Sequence, residues 1–375
     1  MSVLLAHLFF IFENFSFHPK NNVLYYNRYI IFSEDTMPKV SFMTIAYNES
    51  GFLQALLDDL MAQDYPHDDI EVILVDGGSK DGTKGIMERF AEKRDFFACK
   101  VLDNPKRIQS AGWNIAIENA SGEILIRLDA HGRIDSDFIS NVVEQMDKGE
   151  SIVGGQRITI FDGKRPFAKL LAHAESSPFG SGVASYRRKV SRRYVKTLAH
   201  AAYRRDVFKR SGVFNENLVR TEDNELHFRM RQSGYRFCQC PEIYSYLHAR
   251  NTLKGMIKQK WSNGFWIGAT LPVCPGCLSL YNFVPAAFVV VFLSAIAWCV
   301  QNNSLFALAF LGFFYMLAAI IATIREIIKE PSWAIKPLLL LLPPIFLLLH
   351  FFYGAGTIFG MVFSPILVVK NKNKG

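Results

Sequence analysis

Residues 72–81 read Val-Ile-Leu-Val-Asp-Gly-Gly-Ser-Lys-Asp, an apolar run that ends directly on two carboxylates around paired glycines. A short apolar run bounded by such turn residues is typical of a buried strand. The glycines allow the backbone to approach a ligand closely. Carboxylates at the carboxyl ends of strands in an α/β sheet point into the crevice where such folds bind ligands. The segment therefore predicts a ligand-binding strand end at Asp76 and Asp81.

A second apolar run, Ile124–Leu128, ends in the same way on Asp129-Ala130-His131. Similar strand patterns alternate with helical patterns along this half of the chain. We expect strands over 40–46, 70–75, 99–102 and 124–128, and helices over 51–63, 83–93 and 110–119. This alternation predicts an α/β domain with a mainly parallel sheet, whose strand ends share one edge. No Gly-x-Gly-x-x-Gly follows the first strand, which argues against a dinucleotide-binding domain.

The C-terminal part of the chain is much more apolar than the rest. Leu278–Gln301 and Ser304–Ile324 carry no charge, and each is long enough to cross a bilayer as a helix of roughly 20 residues. After a polar loop at 325–336, a third stretch, Pro337–Val369, contains no Asp, Glu, Lys or Arg. Runs of this length are rare in soluble cores, so we expect transmembrane helices over 278–369 rather than buried soluble helices.

The distribution of basic residues predicts how these segments are oriented. Basic residues in short loops tend to stay on the cytoplasmic side. This rule places the soluble part, the 325–336 loop and the basic tail at 370–375 inside the cell. Three simple crossings would put the tail outside, so we expect a hairpin or re-entrant pair within 337–369. The break would fall at Pro343-Pro344 or at Gly354-Ala355-Gly356.

The net charge of +8 fits a protein at an anionic membrane face. Lys and Arg are spread over the soluble part and no nucleic-acid-binding motif is present, so we expect no nucleic-acid partner. Residues 1–36 show no clear periodicity, and Met37-Pro38 reads like the beginning of the first strand. We expect 1–36 to be a non-native or poorly ordered extension, with an N-terminal interfacial anchor as the alternative.

Five motifs follow one another in the soluble part. They read Ala-Tyr-Asn-Glu at 46–49, Val-Asp-Gly-Gly-Ser-Lys-Asp-Gly-Thr at 75–83, Asn-Pro-Lys-Arg-Ile-Gln-Ser-Ala at 104–111, Arg-Leu-Asp-Ala-His at 127–131 and Glu-Asp-Asn-Glu-Leu at 222–226. In this order they resemble family 2 glycosyltransferases, in particular the bacterial exopolysaccharide (succinoglycan-type) membrane-bound glucosyltransferases. The resemblance implies a GT-A-like nucleotide-sugar-binding catalytic domain over 37–247, followed by the transmembrane region.

The resemblance also implies where the sugar donor binds. The donor-binding residues would be Ala46, Tyr47, Asn48, Glu49, Asp76, Asp81, Arg107 and Asp129. Asp76 would bind the base or ribose, and Tyr47 with its neighbours would line the base pocket. For Asp81 the alternative is a turn or N-cap residue before the following helix. For Arg107 the alternative to neutralising the nucleotide is a surface salt bridge.

A divalent metal ion, Mg²⁺ or Mn²⁺, would assist the departing diphosphate. Asp129 and His131 lie two residues apart, so their side chains point the same way if the segment is extended. The family usually has Asp-x-Asp here, and Asp-x-His is compatible with either ion. His131 could instead hydrogen-bond the diphosphate or the donor sugar.

The motif at 222–226 supplies the candidate catalytic residues. Asp223 is the predicted general base, because a carboxylate can take the proton of an attacking hydroxyl. Glu222 would orient the loop or a neighbouring Arg, although the reversed roles stay open. Three acids in the first turn of a helix could also serve only the helix dipole.

Residues 248–277 mix basic and aromatic side chains, which predicts an amphipathic segment at the membrane interface. Gln259, Trp261 and Trp266 are the candidate acceptor or interface residues. Processive relatives carry Gln-x-x-Arg-Trp in this region, and the chain lacks its Arg. The departure favours addition of a single sugar over long-chain synthesis.

Together these patterns predict an inverting, metal-dependent glycosyltransferase. The donor would be a UDP-sugar, UDP-glucose in particular, and the acceptor a lipid-linked saccharide of exopolysaccharide biosynthesis. The site would be the cytoplasmic face of the inner membrane, with other polysaccharide-assembly proteins as further partners. The alternatives are a polyprenyl-phosphate glycosyltransferase, a processive polysaccharide synthase and, outside the enzymes, a membrane scaffold with a degenerate transferase domain.

Overall fold

The computed structural model describes 38–160, 166–180, 191–248 and 252–372, with side chains up to 363, and three short strands nearer the N-terminus. These strands pair antiparallel in a small sheet of their own. They are β1 (Phe15–His18), β2 (Val23–Tyr26) and β3 (Tyr29–Ile31). Met37, the expected start of the first strand, and most of 1–36 lie outside the described residues.

A sheet of nine strands forms the centre of the soluble part. Its strands are β4 (Val40–Ala46), β5 (Ile70–Asp76), β6 (Ala98–Asp103), β7 (Ile124–Arg127), β8 (Gly132–Ile134), β9 (Ile152–Ile160), β10 (Arg193–Val195), β11 (Ala201–Arg204) and β12 (Phe237–His248). The order across the sheet is β10-β12-β9-β11-β7-β4-β5-β6, and β8 pairs with β12.

The half of the sheet built from β4 to β7 is parallel throughout. Ala46 pairs with Asp76, and Asp76 with Asp103, so these strands end at one level. Strand β5 is buried along its whole length, as its apolar run predicts. The other half adds antiparallel pairs, because β11 runs opposite to both β7 and β9. The predicted α/β domain with a mainly parallel sheet is confirmed.

Helices cover both faces of the sheet and continue into the C-terminal region. They are α1 (Leu53–Met61), α2 (Thr83–Ala91), α3 (Gln109–Asn119), α4 (Phe138–Asp147), α5 (Pro166–Ser176), α6 (Arg205–Ser211), α7 (Glu222–Gln232), α8 (Leu253–Thr270), α9 (Val284–Gln301), α10 (Phe306–Lys329) and α11 (Leu342–Lys372). One core lies between the sheet and α1, α2 and α4, and another lies under α3, α6 and α7.

Three C-terminal helical segments are long and apolar enough to cross a membrane: Leu280–Gln301, Phe306–Lys329 and Lys336–Phe363. Large apolar side chains such as Phe313 remain exposed on them. An apolar surface of this extent needs a nonpolar environment, so the segments match the predicted transmembrane region.

The expected break within 337–369 is wrong, because a short 3₁₀ turn leads directly into one continuous helix, α11. Pro343 and Pro344 lie in its first turn, where a missing N–H leaves no helical hydrogen bond unmade. Gly354 and Gly356 are packing positions rather than breaks. A methyl group at either would overlap a backbone carbonyl oxygen of a neighbouring helix.

Helix α5 joins the sheet domain to the membrane-spanning helices. Both ring nitrogens of His173 contact carboxylates, Glu326 at 3.0 Å and Glu330 at 2.9 Å. Lys169 contacts Glu330 at 2.6 Å. Leu170 and other apolar side chains of α5 pack into a core with α10 and α11. The two regions therefore share both apolar packing and buried ion pairs.

Candidate active site

The loop after β4 is tied to the loop after β5. The backbone N–H of Asn48 donates to Ser79 Oγ at 2.9 Å, and the N–H of Lys80 donates to Asn48 Oδ1 at 2.9 Å. Asn48 has φ +55°, a left-handed conformation that Asn tolerates better than most residues. Ala46 ends β4 beside Asp76, and the Tyr47 ring stays 55% exposed. An exposed aromatic face at this edge suits stacking on a base.

Asp76 is 1% exposed, and its Oδ2 accepts from the backbone N–H groups of Gly78 and Ser79 at 3.0 and 3.1 Å. It therefore shapes the turn after β5. A Cβ at Gly78 would lie 3.1 Å from Arg107 Nε, so the glycine lets this guanidinium come down over the turn. The Asp76 carboxylate faces its own loop, and donor binding by Asp76 and Arg107 stays a prediction.

Asp81 makes the contacts of a turn residue before α2. Its Oδ1 accepts from the Thr83 backbone N–H at 3.1 Å and from the Thr83 hydroxyl at 2.5 Å. Its Oδ2 accepts from the Ser50 N–H at 3.0 Å. The bond from the Thr83 hydroxyl holds the pKa of Asp81 well below its usual range. These contacts match the turn alternative and leave donor binding by Asp81 a prediction.

Asp129 follows β7 and comes together with His131, Glu49 and His200. His200 Nε2 lies 3.4 Å from Asp129 Oδ2, and His131 Nδ1 lies 3.4 Å from Glu49 Oε1. Burial would raise the pKa of Asp129, but the nearby His200 imidazole and the charge of Arg127 hold it well below its usual range. Asp129 is therefore an anion at neutral pH, with its side chain 24% exposed.

Sequence reasoning missed His200, which is 4% exposed and held by Ser245 Oγ at 2.9 Å from its Nδ1. It lies directly before β11, and β11 pairs antiparallel with β7, with Ala201 opposite Arg127. This pairing brings the imidazole to the Asp129 strand end. The only signal in the sequence is a histidine placed directly before an apolar strand.

Asp129 and His131 supply one carboxylate and one imidazole at the same strand end. Among the residues that the structure describes, no group of three or more His, Cys, Asp or Glu side chains could hold a metal ion alone. Mg²⁺ and Mn²⁺ commonly take a few protein ligands and complete their shell with water and substrate phosphate oxygens. One carboxylate and one imidazole are a ligand set compatible with such a cation, and metal binding by Asp129 and His131 stays a prediction.

The carboxylates at the start of α7 have different environments. Glu222 is 3% exposed, with its Oε1 3.6 Å from Arg127 Nη2, whereas Asp223 is partly exposed. Burial and the neighbouring Asp223 raise the pKa of Glu222 to about 8, against the opposite effect of Arg127. Asp223 Oδ1 accepts the backbone N–H of Asn224 at 2.8 Å. Of the two, Asp223 is the carboxylate that an acceptor can reach.

Arg127 links the two sides of the site. Its guanidinium lies between the rings of Trp113 and Phe214, 4.7 and 5.2 Å from their centroids, and is 5% exposed. Asp129, Glu222 and the other acids near it raise its pKa further, although burial opposes them. A permanent positive charge therefore lies between the strand end of Asp129 and the helix start of Glu222.

The predicted acceptor residues lie on α8, which packs along α11. The Trp261 ring is 37% exposed and lies 5.8 Å from the Phe359 ring. The Trp266 carbonyl accepts the hydroxyl of Thr270, one turn later. Gln259 Oε1 is buried without a hydrogen-bond partner among the described residues. Trp266 is thus nearest to the residues that contact α7, and Gln259 and Trp261 lie farther back on the helix.

Comparison with known proteins agrees with this arrangement. The family described as Glycosyl transferase family 2 matches residues 41–212. The chain is 31% identical over 240 residues to Succinoglycan biosynthesis protein ExoA of Rhizobium meliloti (strain 1021), covering 62% of this chain and 70% of that protein.

Two further similarities extend over most of the chain. A Methanococcus voltae protein named dolichyl N-acetyl-alpha-D-glucosaminyl phosphate 3-beta-D-2,3-diacetamido-2,3-dideoxy-beta-D-glucuronosyltransferase is 27% identical over 322 residues, 84% of this chain and 96% of that protein. The fold resembles the mannosyltransferase PcManGT from Pyrobaculum calidifontis, solved with GDP-Man and Mn²⁺, at a TM-score of 0.55 and 20% identity over 84% of this chain and 86% of that one. The predicted GT-A-like fold and family resemblance are confirmed. The chain is a glycosyltransferase and belongs to glycosyl transferase family 2.

Proposed function

We propose that the chain is an inverting, metal-dependent glycosyltransferase that transfers a hexose from a nucleotide-diphospho-sugar, UDP-glucose in particular, to a lipid-linked saccharide. The observation that carries the proposal is the pairing of a partly exposed Asp223 with an anionic Asp129 strand end across the buried Arg127. Such a site has a base for the acceptor on one side and polar groups for the donor on the other.

In this mechanism Asp223 takes the proton of the acceptor hydroxyl while that oxygen attacks the anomeric carbon of the donor. The bond between this carbon and the diphosphate oxygen breaks, and the nucleoside diphosphate leaves. Asp223 acts as a base and not as a nucleophile, so a single displacement inverts the anomeric centre. Glu222 stays behind it, buried against Arg127, and holds the start of α7.

The donor diphosphate would lie between the strand ends and Arg107, whose guanidinium covers the turn after β5. Asp129 and His131 would hold Mg²⁺ or Mn²⁺, which when bound would neutralise charge on the diphosphate. Tyr47 would stack on the base at the open edge. These assignments keep the predicted donor residues at one end of the parallel strands.

The lipid-linked acceptor is supported by the membrane-spanning helices and by two relatives. One relative's name gives a dolichyl phosphate-linked sugar as its acceptor, and the other is named for succinoglycan biosynthesis. We place the reaction at the cytoplasmic face of the inner membrane, because the soluble part and its basic loops would stay on that side. Other polysaccharide-assembly proteins would then supply the acceptor and take the product.

Membranes that contain the chain provide the direct test. Radiolabelled UDP-glucose, other UDP-hexoses and GDP-mannose are supplied with and without EDTA, and label is followed into organic-solvent extracts. We expect label from a UDP-hexose to enter lipid-linked saccharide, to require Mg²⁺ or Mn²⁺, and to be lost in an Asp223→Asn control. Full transfer in EDTA would reject the metal assignment.

The size and the acceptor of the labelled product separate the remaining alternatives. One added hexose per lipid-linked saccharide supports the proposal. Label on a lipid that carries a single sugar and one phosphate would instead identify a polyprenyl-phosphate glycosyltransferase. A polymer that grows without dissociation would identify a processive synthase, despite the missing Arg after Gln259.

A further inference from the structure

Helices α8 and α11 approach so closely that their backbones touch. Four glycines form the contact, and a methyl group added to any of them would overlap the backbone of the facing helix: Gly264, Gly268, Gly356 and Gly360. On each helix the two glycines are four residues apart, so they lie on one face. Small residues at this spacing are typical of tightly packed membrane helices. The position of α8 along its axis is therefore set by α11.

The C-terminal end of α8 reaches the start of α7. Thr270, which is fully buried, donates its hydroxyl proton to the Trp266 carbonyl at 2.6 Å. Thr270 Oγ1 also lies 2.5 Å from Thr221 Oγ1. Either hydroxyl could donate in this pair, because each Thr side chain is both a donor and an acceptor. Seven residues earlier, Asn263 Oδ1 accepts from Arg220 Nη1 at 3.0 Å.

Thr221 is the N-cap position of α7 and has φ +66°. A left-handed backbone is unfavourable for a β-branched residue and persists only where surrounding contacts hold it. The described contacts that hold the Thr221 side chain are its own preceding carbonyl and the Thr270 hydroxyl. Glu222 and Asp223 follow directly, so the Thr221 backbone decides where the Asp223 carboxylate points.

We propose that Thr270 is a positioning residue for the catalytic base. The glycine contact with α11 fixes the position of α8. The contact between Thr270 and Thr221 then fixes the start of α7, and with it the position of Asp223 relative to the membrane. The inference rests on the proposed function in one respect, the role of Asp223 as base. In this proposal α8 positions Asp223, a role separate from the predicted acceptor contacts of Gln259, Trp261 and Trp266.

The test compares Thr270→Val, which keeps the shape but removes the hydroxyl, with Thr270→Ser, which keeps the hydroxyl. Transfer from the active UDP-hexose, binding of UDP and hydrogen exchange of the backbone amides of 222–224 are measured on the full-length protein. In Thr270→Val we expect kcat to fall by about 10- to 100-fold, the usual effect of a small misplacement of a reacting group. UDP affinity should change less than about twofold, and Thr270→Ser should restore kcat.

Hydrogen exchange does not depend on transfer, so it tests the contact even if the proposed function is wrong. We expect faster exchange at 222–224 in Thr270→Val, with β4 and β5 unchanged, and wild-type exchange in Thr270→Ser. Unchanged exchange at 222–224 overturns the inference. It is also overturned if kcat stays at the wild-type level, or if Thr270→Ser is as impaired as Thr270→Val. Absence of transfer in the wild type, with exchange altered as expected, would reject only the proposed function.

Discussion

Asp129 and Asp223 both lie near Arg127, but different parts of the molecule hold them in place. Asp129 follows a strand whose register is fixed by its neighbours in the sheet, with β4 on one side and β11 on the other. Asp223 begins a helix that is tied by Thr221 to Thr270, 49 residues later in the chain. The proposed donor edge is thus built by the sheet and its loops, whereas the proposed base is positioned in part from the membrane-spanning region.

This difference separates binding from chemistry. We expect the proposed donor site to keep its shape when the membrane-spanning helices shift, because its hydrogen bonds lie within the parallel strands and their loops. The position of the proposed base, in contrast, would depend on where α8 and α11 lie. An enzyme built in this way could bind a nucleotide-sugar in any arrangement of its membrane helices. Its catalytic geometry would be complete only when α8 and α11 pack together through their glycines.

The largest expected effect comes from Asp223→Asn. The amide keeps the size of the side chain but cannot accept the proton, so turnover should fall by roughly 10²- to 10⁴-fold. UDP affinity should stay close to that of the wild type, because the donor edge is untouched. Transfer assays and UDP titration on the same preparation measure both quantities. Near-normal turnover would show that Asp223 is not the base.

Asp129→Asn provides the opposite case at the donor edge. The change removes an anion that is held beside His200 and, in the proposed function, faces the metal ion. We expect both turnover and Mn²⁺-dependent UDP binding to weaken, by about tenfold or more in metal affinity. Titration of UDP at several Mn²⁺ concentrations checks this. If only turnover fell, Asp129 would act in the chemical step, as Asp223 does, and the assignment of Asp129 to donor binding would be wrong.

Gly268→Ala tests whether α8 must contact α11. The added methyl would overlap the Thr357 carbonyl, and a backbone atom cannot move aside as a side chain does. Overpacking of this kind costs about 1–3 kcal/mol. We expect lower thermal stability in detergent and a loss of turnover larger than any loss of UDP affinity.

Gly312→Ala is the matched control, because Gly312 lies on the membrane-spanning helix α10 and a Cβ there meets no atom within 4 Å. It should change neither stability nor turnover. Equal losses for the two substitutions would mean that the close approach of α8 and α11 is not what makes Gly268 necessary.

The sequence was sufficient to locate the strand ends of the parallel half of the sheet, because strand ends follow from local apolar runs and their turn residues. Asp76, Asp129 and the start of α7 lie where these patterns predict. Two features depend on pairing between distant segments and carry no local signal. His200 reaches Asp129 only because β11 pairs with β7, and Thr270 reaches Thr221 only because α8 packs along α11. The break expected in 337–369 failed for the same reason, since glycine can serve helix packing as well as helix termination.

The docking of α5 on α10 predicts a pH-dependent stability. Burial lowers the pKa of His173, but its hydrogen bonds to Glu326 and Glu330 outweigh this and raise the pKa above the ordinary value of 6.5. The stabilisation is therefore complete below 6.5 and is lost as pH rises through the raised value. Lys169 contacts Glu330, and Lys329 contacts Glu326.

His173→Gln should cost about 1 kcal/mol below pH 6.5, a decrease in Tm of roughly 2–4 °C, and nothing at high pH. Thermal unfolding of wild type and variant between pH 6 and 9 measures the difference. A constant gap between the two curves would show that His173 acts by packing alone.

The smallest effect is expected for Glu222→Gln, which separates the two adjacent acids of α7. Burial and Asp223 raise the pKa of Glu222 to about 8, so at neutral pH its carboxyl is mostly protonated and resembles an amide. A protonated acid cannot serve as the base, and at 3% exposure it does not meet the acceptor. Turnover should therefore fall by less than about tenfold, or roughly 1.4 kcal/mol.

The raised pKa of Glu222 also predicts how stability depends on pH. The folded protein loses stability as pH rises from the ordinary value of 4.5 through 8, because the buried carboxyl must then ionise. Glu222→Gln has no carboxyl to ionise, so the variant should not show this loss of stability. Turnover and thermal unfolding across this pH range decide the matter: a loss as large as that of Asp223→Asn would make Glu222 the base, and the accessible carboxylate would then have only a positioning role.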